Sequence, residues 1–298
     1  MSVLNSRRII SLALGCLLTL TLSGCVTQAT EQIKQFFNSS GVQQIGDWAE
    51  QGLAALTSPT PPPPTGDSPP LNAENVVMAT RQNPVGHRDF QQAKKVLPRV
   101  FAGMEEDFYC GCQYTGKVID WASCNFQPRK NAERARRLEW EHVVPAWVIG
   151  HQRQCWKNGG RKNCGNTDVI YQIAEGDLVN LVPAVGEVNG DRSNYAFSAW
   201  TRNPQPMYGS CQTIVDFKAK KVQPREEVRG RAARITLYMH QQYQLNLSRQ
   251  DRQLMCAWAK TYPVDAWEIK RDKRIVGLQG NGNPLVSNPE ILAQYCPT

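Results

Sequence analysis

Leu138-Glu139-Trp140-Glu141-His142-Val143-Val144-Pro145 is the stretch from which fold and chemistry can both be read. Leu138, Trp140, His142 and Val144 alternate with Glu139, Glu141 and Val143, the period of a β-strand. A regular strand sends neighbouring side chains to opposite faces, so Glu141 and His142 serve one site only where the strand bends or stops. Pro145 supplies a terminator, because it has no amide hydrogen to give to a ladder. A carboxylate is a hard oxygen ligand for a divalent cation, and a neutral imidazole takes a proton from water near neutral pH. Alone, the pair more often describes an ordinary surface acid and base. His142 is one of four histidines. His87, His151 and His240 have no such acidic neighbour and read as surface or core residues.

Working outward, Asp89 to Leu97 places Phe90, Ala93 and Leu97 near one helical face, and Pro98 is expected to end or kink that helix. Residues 131–137 are charged and helix-permissive. Gly159-Gly160-Arg161-Lys162-Asn163-Cys164 puts a basic pair in a turn beside a cysteine, where a guanidinium can grip a phosphate through two parallel hydrogen bonds. A plain basic disulfide loop is the alternative. Asp177-Leu178-Val179-Asn180-Leu181-Val182-Pro183 contains a second short apolar run. Gly186-Glu187-Val188-Asn189-Gly190-Asp191-Arg192-Ser193-Asn194 is dense in acids and amides, whose oxygens suit hard cations, or else it is a loop of turn formers. Residues 187–195 are helix-permissive, and 229–243 and 249–260 read as amphipathic helices. No internal repeat occurs.

Together these segments resemble the bacterial endonuclease I family of periplasmic and extracellular nucleases. The resemblance is carried by Phe108-Tyr109-Cys110-Gly111-Cys112, Glu139 to Trp147, Gln152-Arg153-Gln154-Cys155-Trp156, Gly159 to Cys164, Gly186 to Asn194, Tyr208-Gly209-Ser210-Cys211, Val215-Asp216-Phe217-Lys218 and Gln279-Gly280-Asn281. They run in order between about Phe90 and Val286. The fold implied is mixed α+β, a ββα-metal nuclease core with additional helices. The resemblance implies His142 as general base, Glu141 and Asn189 as metal ligands, and Arg161 as the phosphate-contacting arginine. The cofactor implied is Mg²⁺, with Mn²⁺ or Ca²⁺ as substitutes, and no small-molecule cofactor. Trp147, Arg153, Lys162 and Arg192 are expected to add contacts to the nucleic-acid backbone. One position departs: Val179 stands where the family often has His.

The activity implied is metal-dependent, sequence-tolerant cleavage of phosphodiester bonds, with DNA as substrate and RNA as the alternative polymer. Phosphate-dominated contact carries little sequence information and depends strongly on salt. The rival reading is a non-catalytic, DNA-binding surface lipoprotein, for which Val179 is the best support. A secreted hydrolase of another class is disfavoured, since no Gly-x-Ser-x-Gly or His-Glu-x-x-His pattern appears.

Charge and export signals agree. The chain carries +8 overall. From Leu71 onward there are 31 Lys and Arg against 22 Asp and Glu, a net +9, so the basic surplus belongs to the domain that would meet a polyanion. Arg7 and Arg8 precede an apolar run, Ile9 to Leu22, too short to span a bilayer comfortably. It ends in Leu22-Ser23-Gly24-Cys25, which resembles a bacterial lipoprotein signal with Cys25 acylated; an ordinary cleaved signal is the alternative. The expected divisions are a signal at 1–24, a tail and proline-rich spacer at 25–70, and a catalytic domain at 71–298. A monomer held at the outer membrane by lipid, facing the periplasm or the exterior, follows. Eight cysteines remain in the exported domain: Cys110, Cys112, Cys124, Cys155, Cys164, Cys211, Cys256 and Cys296. An even number in an exported chain predicts a disulfide framework of up to four bridges. Structural zinc is disfavoured, since Cys110-Gly111-Cys112 lacks the usual ligand spacing.

Overall fold

The side chain of Asp89 accepts the amide hydrogen of Gln92 at 2.8 Å and so opens helix α1, Phe90–Phe101, in the computed structural model of the chain. The structure describes residues 89–199 and 205–296. The expectations for the signal, Cys25, the proline-rich spacer, His87 and the domain start near Leu71 lie outside the described residues. Pro98 does not end α1. It sits inside the helix, where it offers no amide hydrogen to the preceding turn, and buried Leu97, Val100 and Phe101 hold the last turn against the core.

A small hairpin, β1 (Tyr114–Thr115) and β2 (Val118–Ile119), leads to the short helix α2, Ala132–Ala135. Strand β3, Leu138–His142, stops two residues before the sequence alternation does. Four short helices follow: α3 (Ala146–Gly150), α4 (Gln154–Lys157), α5 (Gly160–Thr167) and α6 (Val169–Gly176). The chain then returns as β4, Leu181–Val185, and turns directly into α7, Gly186–Arg192. β3 and β4 pair antiparallel, with Glu139 opposite Ala184, Glu141 opposite Val182 and His142 opposite Leu181. This strand–strand–helix unit is the ββα core, though its two strands are joined through four helices and not by a tight turn.

β5 (Ala196–Phe197), β6 (Ile214–Asp216) and β7 (Lys221–Gln223) form a separate sheet in the order β5-β7-β6, the first pair parallel and the second antiparallel. Helices α8 (Arg229–Gln242) and α9 (Arg249–Thr261) pack together. α10 (Ala266–Gln279) lies against α1, and α11 (Pro284–Ser287) and α12 (Leu292–Tyr295) finish the described chain. The fold is mixed α+β, mostly helical, with small sheets.

Buried polar groups tie the helical layer to the core. The Asp177 carboxylate accepts from Tyr238 and Tyr243 hydroxyls at 2.9 and 2.7 Å and from the Gln279 amide at 3.0 Å. The Arg271 guanidinium reaches the carbonyls of Leu178, Val179 and Leu181 at 2.8 to 2.9 Å. The expected disulfide framework is present as four bridges: Cys110–Cys211, Cys112–Cys124, Cys155–Cys164 and Cys256–Cys296. Among the described residues, no helix is long and apolar enough to cross a membrane.

Candidate active site

The two faces of β3 carry different chemistry. On one, the Trp140 ring stacks on Phe101 at 5.6 Å and the His142 ring packs on Phe90 at 4.6 Å. His142 is buried, and its Nε2 lies 2.8 Å from the backbone carbonyl oxygen of Glu175. A carbonyl only accepts, so Nε2 carries the hydrogen and Nδ1 keeps the lone pair. Burial, and then the charge of Arg161, push the imidazole down to about 3, so His142 stays neutral through the physiological range.

Glu175 also joins His142 to Arg161. Its carboxylate accepts from Arg161 Nε at 2.6 Å and from the Tyr171 hydroxyl at 2.9 Å. Arg161 is 51% exposed, so its guanidinium remains open to a ligand. The Arg161 guanidinium also lies over the Phe90 ring, 5.6 Å from its centroid. The expected turn at Arg161 and Lys162 is instead the first turn of α5, which Cys155–Cys164 ties to α4. Lys162 is exposed.

The opposite face of β3 carries Glu139 and Glu141. Glu141 is buried; its Oε1 accepts from the Tyr109 hydroxyl at 2.7 Å and from Arg192 Nη1 at 2.9 Å. Burial raises its carboxyl above the ordinary range and the Glu139 charge adds to this, while Arg192 opposes both. Arg192 was expected at the nucleic-acid surface; it is only 2% exposed. It also donates to the carbonyls of His142 and Val143, at 2.8 and 2.5 Å. It is the internal counter-ion of Glu141 and is not placed to touch a polymer. Arg153 is occupied as well, by a two-point ion pair with Asp168 at 2.7 and 2.9 Å. Trp147 is 44% exposed, with the His151 ring parallel to it at 3.8 Å.

The acid-rich stretch of α7 divides its labour. The Glu187 carboxylate accepts the backbone amides of Arg129, Lys130 and Asn131. Asp191 takes Arg129 and the Tyr208 hydroxyl. Asn189 faces β3, and its Nδ2 donates to Glu139 Oε2 at 2.9 Å. Asn180 is a strand extender: its side chain accepts from the Val144 amide at 2.7 Å and donates to the Val144 carbonyl at 2.9 Å. Val179 is fully buried, its amide on Asp177, so the departure from the family pattern falls at a core position.

Among the described residues, no group of three or more His, Cys, Asp or Glu is arranged to hold a metal ion. A cation here would need few protein ligands and several waters, as Mg²⁺ accepts. The donor set fits that demand. Glu139 and Glu141 lie on one face of β3, and the amide of Asn189, committed through its nitrogen to Glu139, keeps its oxygen for a ligand. Sequence reading assigned no role to Glu139, Glu175, Arg134, Tyr109 or Phe90. Apart from Arg134 and Glu139, five residues apart, these residues meet the expected site residues across 14 to 71 positions, beyond any local pattern.

Comparison with known proteins assigns the chain to a family. The family model described as Endonuclease I matches residues 91–290. The chain is 53% identical over 208 residues to an extracellular deoxyribonuclease of Aeromonas hydrophila, covering 68% of this chain and 91% of the relative. It is 52% identical over 202 residues to a periplasmic deoxyribonuclease of the same organism, covering 66% and 84%. It is 45% identical over 202 residues to Endonuclease-1 of Buchnera aphidicola subsp. Acyrthosiphon pisum, covering 66% and 80%. With two thirds of its length matched by one family model and the strand–strand–helix core intact, the chain belongs to the endonuclease I family.

Proposed function

We propose that this endonuclease hydrolyses phosphodiester bonds of DNA with little sequence preference, with the aid of a divalent cation, leaving 5′-phosphate and 3′-hydroxyl ends. The observation that carries the reading is Glu175 holding two groups at once: His142 through its carbonyl, Arg161 through its carboxylate. His142, neutral and with Nδ1 free to accept, takes a proton from water as it attacks phosphorus. Arg161, half exposed, pairs with a non-bridging phosphate oxygen and offsets its charge. Glu141 and Asn189 are the ligands assigned to the cation, preferentially Mg²⁺. When bound, it stabilises charge developing on the phosphate and on the departing 3′-oxygen. Trp147 and Lys162 remain candidate contacts to the polymer backbone. The deoxyribonuclease relatives favour DNA over RNA as the substrate.

The place of action follows from the same relatives, named extracellular or periplasmic, and from the four disulfides, which need an oxidising compartment. Cys25 is proposed as a lipid attachment point and residues 25–70 as the tether.

Nicking of supercoiled plasmid tests the reading. Cutting in Mg²⁺ that is abolished by EDTA and by His142→Ala is the expected result. Plasmid that is shifted on a gel yet uncut by the oxidised, unsubstituted chain across several divalent cations would favour the non-catalytic DNA-binding reading instead.

A further inference from the structure

We propose that Glu139, gripped by Arg134, is the positioning residue that fixes the Asn189 amide with its oxygen turned to the cation site. This rests on the reading of Asn189 as a cation ligand.

An asparagine amide can present either end, and its oxygen and nitrogen differ little in size, so packing alone does not choose between them. A carboxylate does choose. Both Glu139 oxygens accept from Arg134 and a carboxylate offers no hydrogen, so only the NH₂ end of Asn189 can face it. That contact is made at 2.9 Å, Asn189 Nδ2 to Glu139 Oε2. Glu139 is in turn held at two points, Arg134 Nε to Oε1 at 2.9 Å and Nη2 to Oε2 at 2.7 Å. The guanidinium thus fixes the carboxylate, and the carboxylate fixes the amide.

The backbone leaves room for this chain of contacts. A Cβ at Gly190, next to Asn189, would lie 2.1 Å from Arg134 Nη1. A Cβ at Gly186, one turn earlier, would lie 3.0 Å from Glu139 Oε1 and 2.5 Å from the Arg134 carbonyl oxygen. Both glycines of α7 thus lie bare against the segment that carries the Arg134–Glu139 pair.

The test is a double-mutant cycle read by Mn²⁺ binding, measured as the EPR signal of free Mn²⁺ over the purified full chain. Glu139→Gln is near in shape but can face Asn189 with either end of its own amide. With Asn189 present, it is expected to weaken Mn²⁺ binding by about 10–100-fold, the usual range for a residue that orients a ligand. Asn189→Asp presents oxygen at both ends, so orientation no longer matters. In that background two carboxylates face each other, so Glu139→Gln removes a repulsion and should leave Mn²⁺ binding unchanged or tighten it. An equal loss in both backgrounds would show that Glu139 acts through its charge or as a ligand, and would overturn the proposal. No loss with Asn189 present would overturn it too. If Asn189→Ala binds Mn²⁺ as tightly as the unsubstituted chain, the ligand reading itself has failed. If Glu139→Gln does not give a cooperative melt, Arg134→Lys, which keeps the charge but loses the two-point grip, is put through the same cycle with the same criteria.

Discussion

Glu175 touches both halves of the cleavage chemistry: its carbonyl oxygen is 2.8 Å from His142 Nε2 and its carboxylate 2.6 Å from Arg161 Nε. The two contacts can be separated experimentally, because substitution removes the carboxylate and leaves the carbonyl. Glu175→Ala is expected to keep the His142 tautomer, release Arg161, and lower kcat/KM by about tenfold or more, the scale of one charge-assisted bond. Single-turnover nicking checks this. A loss as deep as that of His142→Ala would mean that the imidazole had moved as well.

Arg161 and Arg192 both pair with a glutamate, and burial separates their fates. Arg192→Ala strands Glu141 in the core without its counter-ion and should cost about 3–5 kcal/mol of stability. Arg161→Ala, where the arginine is half exposed although Glu175 is buried, should cost less, about 1–3 kcal/mol, while strongly reducing cleavage. Urea unfolding beside plasmid nicking separates the two.

His240 gives a signed pH prediction. Burial lowers its imidazole below the ordinary value of 6.5. Above that value neither folded nor unfolded chain holds the proton, and the group contributes nothing. Below it the unfolded chain binds a proton that the folded chain refuses, so stability falls as pH drops toward the folded-state value, by up to about 1.4 kcal/mol per unit. His240→Gln should make the fall between about pH 7 and pH 5.5 shallower. Urea midpoints across that range decide it; an unchanged slope would place the pH dependence elsewhere, with His142 first in line.

Lys162 is expected to act on the polymer through charge alone. Lys162→Ala should reduce the slope of log affinity against log salt by about 0.9 per lost phosphate contact on duplex DNA, with no change of sequence preference. Fluorescence titrations in EDTA at several salt concentrations measure it. An unchanged slope would remove Lys162 from the interface.

Disulfide removal gives a further contrast. Cys110–Cys211 closes a separation of 101 residues and Cys155–Cys164 only 9. Loop-closure entropy then predicts the larger loss of stability for the Cys110/Cys211 double serine variant, about 4.7 kcal/mol against about 3 or less for the short loop. The Cys155/Cys164 variant should be the more selective for activity, since that bridge anchors the helix bearing Arg161. Thermal melts and nicking rates, measured together, separate these effects.

The parts of this protein that were legible in sequence are those where period and chemistry coincide. The alternation from Leu138 gave β3, and the long amphipathic stretches gave α8 and α9 within one or two residues of their ends. The helix-permissive stretch from Glu187 gave α7, whereas Asn189 was singled out by the resemblance and by no local pattern. Helix α10 escaped although Asp265 caps it, because its buried face includes Glu268, Arg271, Asp272 and Gln279 and shows no clean apolar stripe. Helices α3 to α6, four to eight residues long, are too short for a period to emerge. Arg192 read as a surface cation because nothing near it in sequence announces Glu141, 51 positions away. The Glu139–Asn189 contact was hidden for the same reason, at a separation of 50.

The β3–β4 ladder acts as a sorting device for chemical function. Side chains one position apart on β3 face different partners, so the pairing Glu141 opposite Val182 and His142 opposite Leu181 decides which group becomes the proton acceptor and which the cation shelf. A slip of one residue would turn the glutamates toward Phe90 and the imidazole toward Asn189, exchanging the two roles without altering a single atom of composition. The Asn180 amide, acting as a surrogate peptide beside Val144, closes the open end of the ladder against that slip. The segment that joins the two strands carries Glu175 and Arg161, so the step of the ladder also sets where these two meet the imidazole.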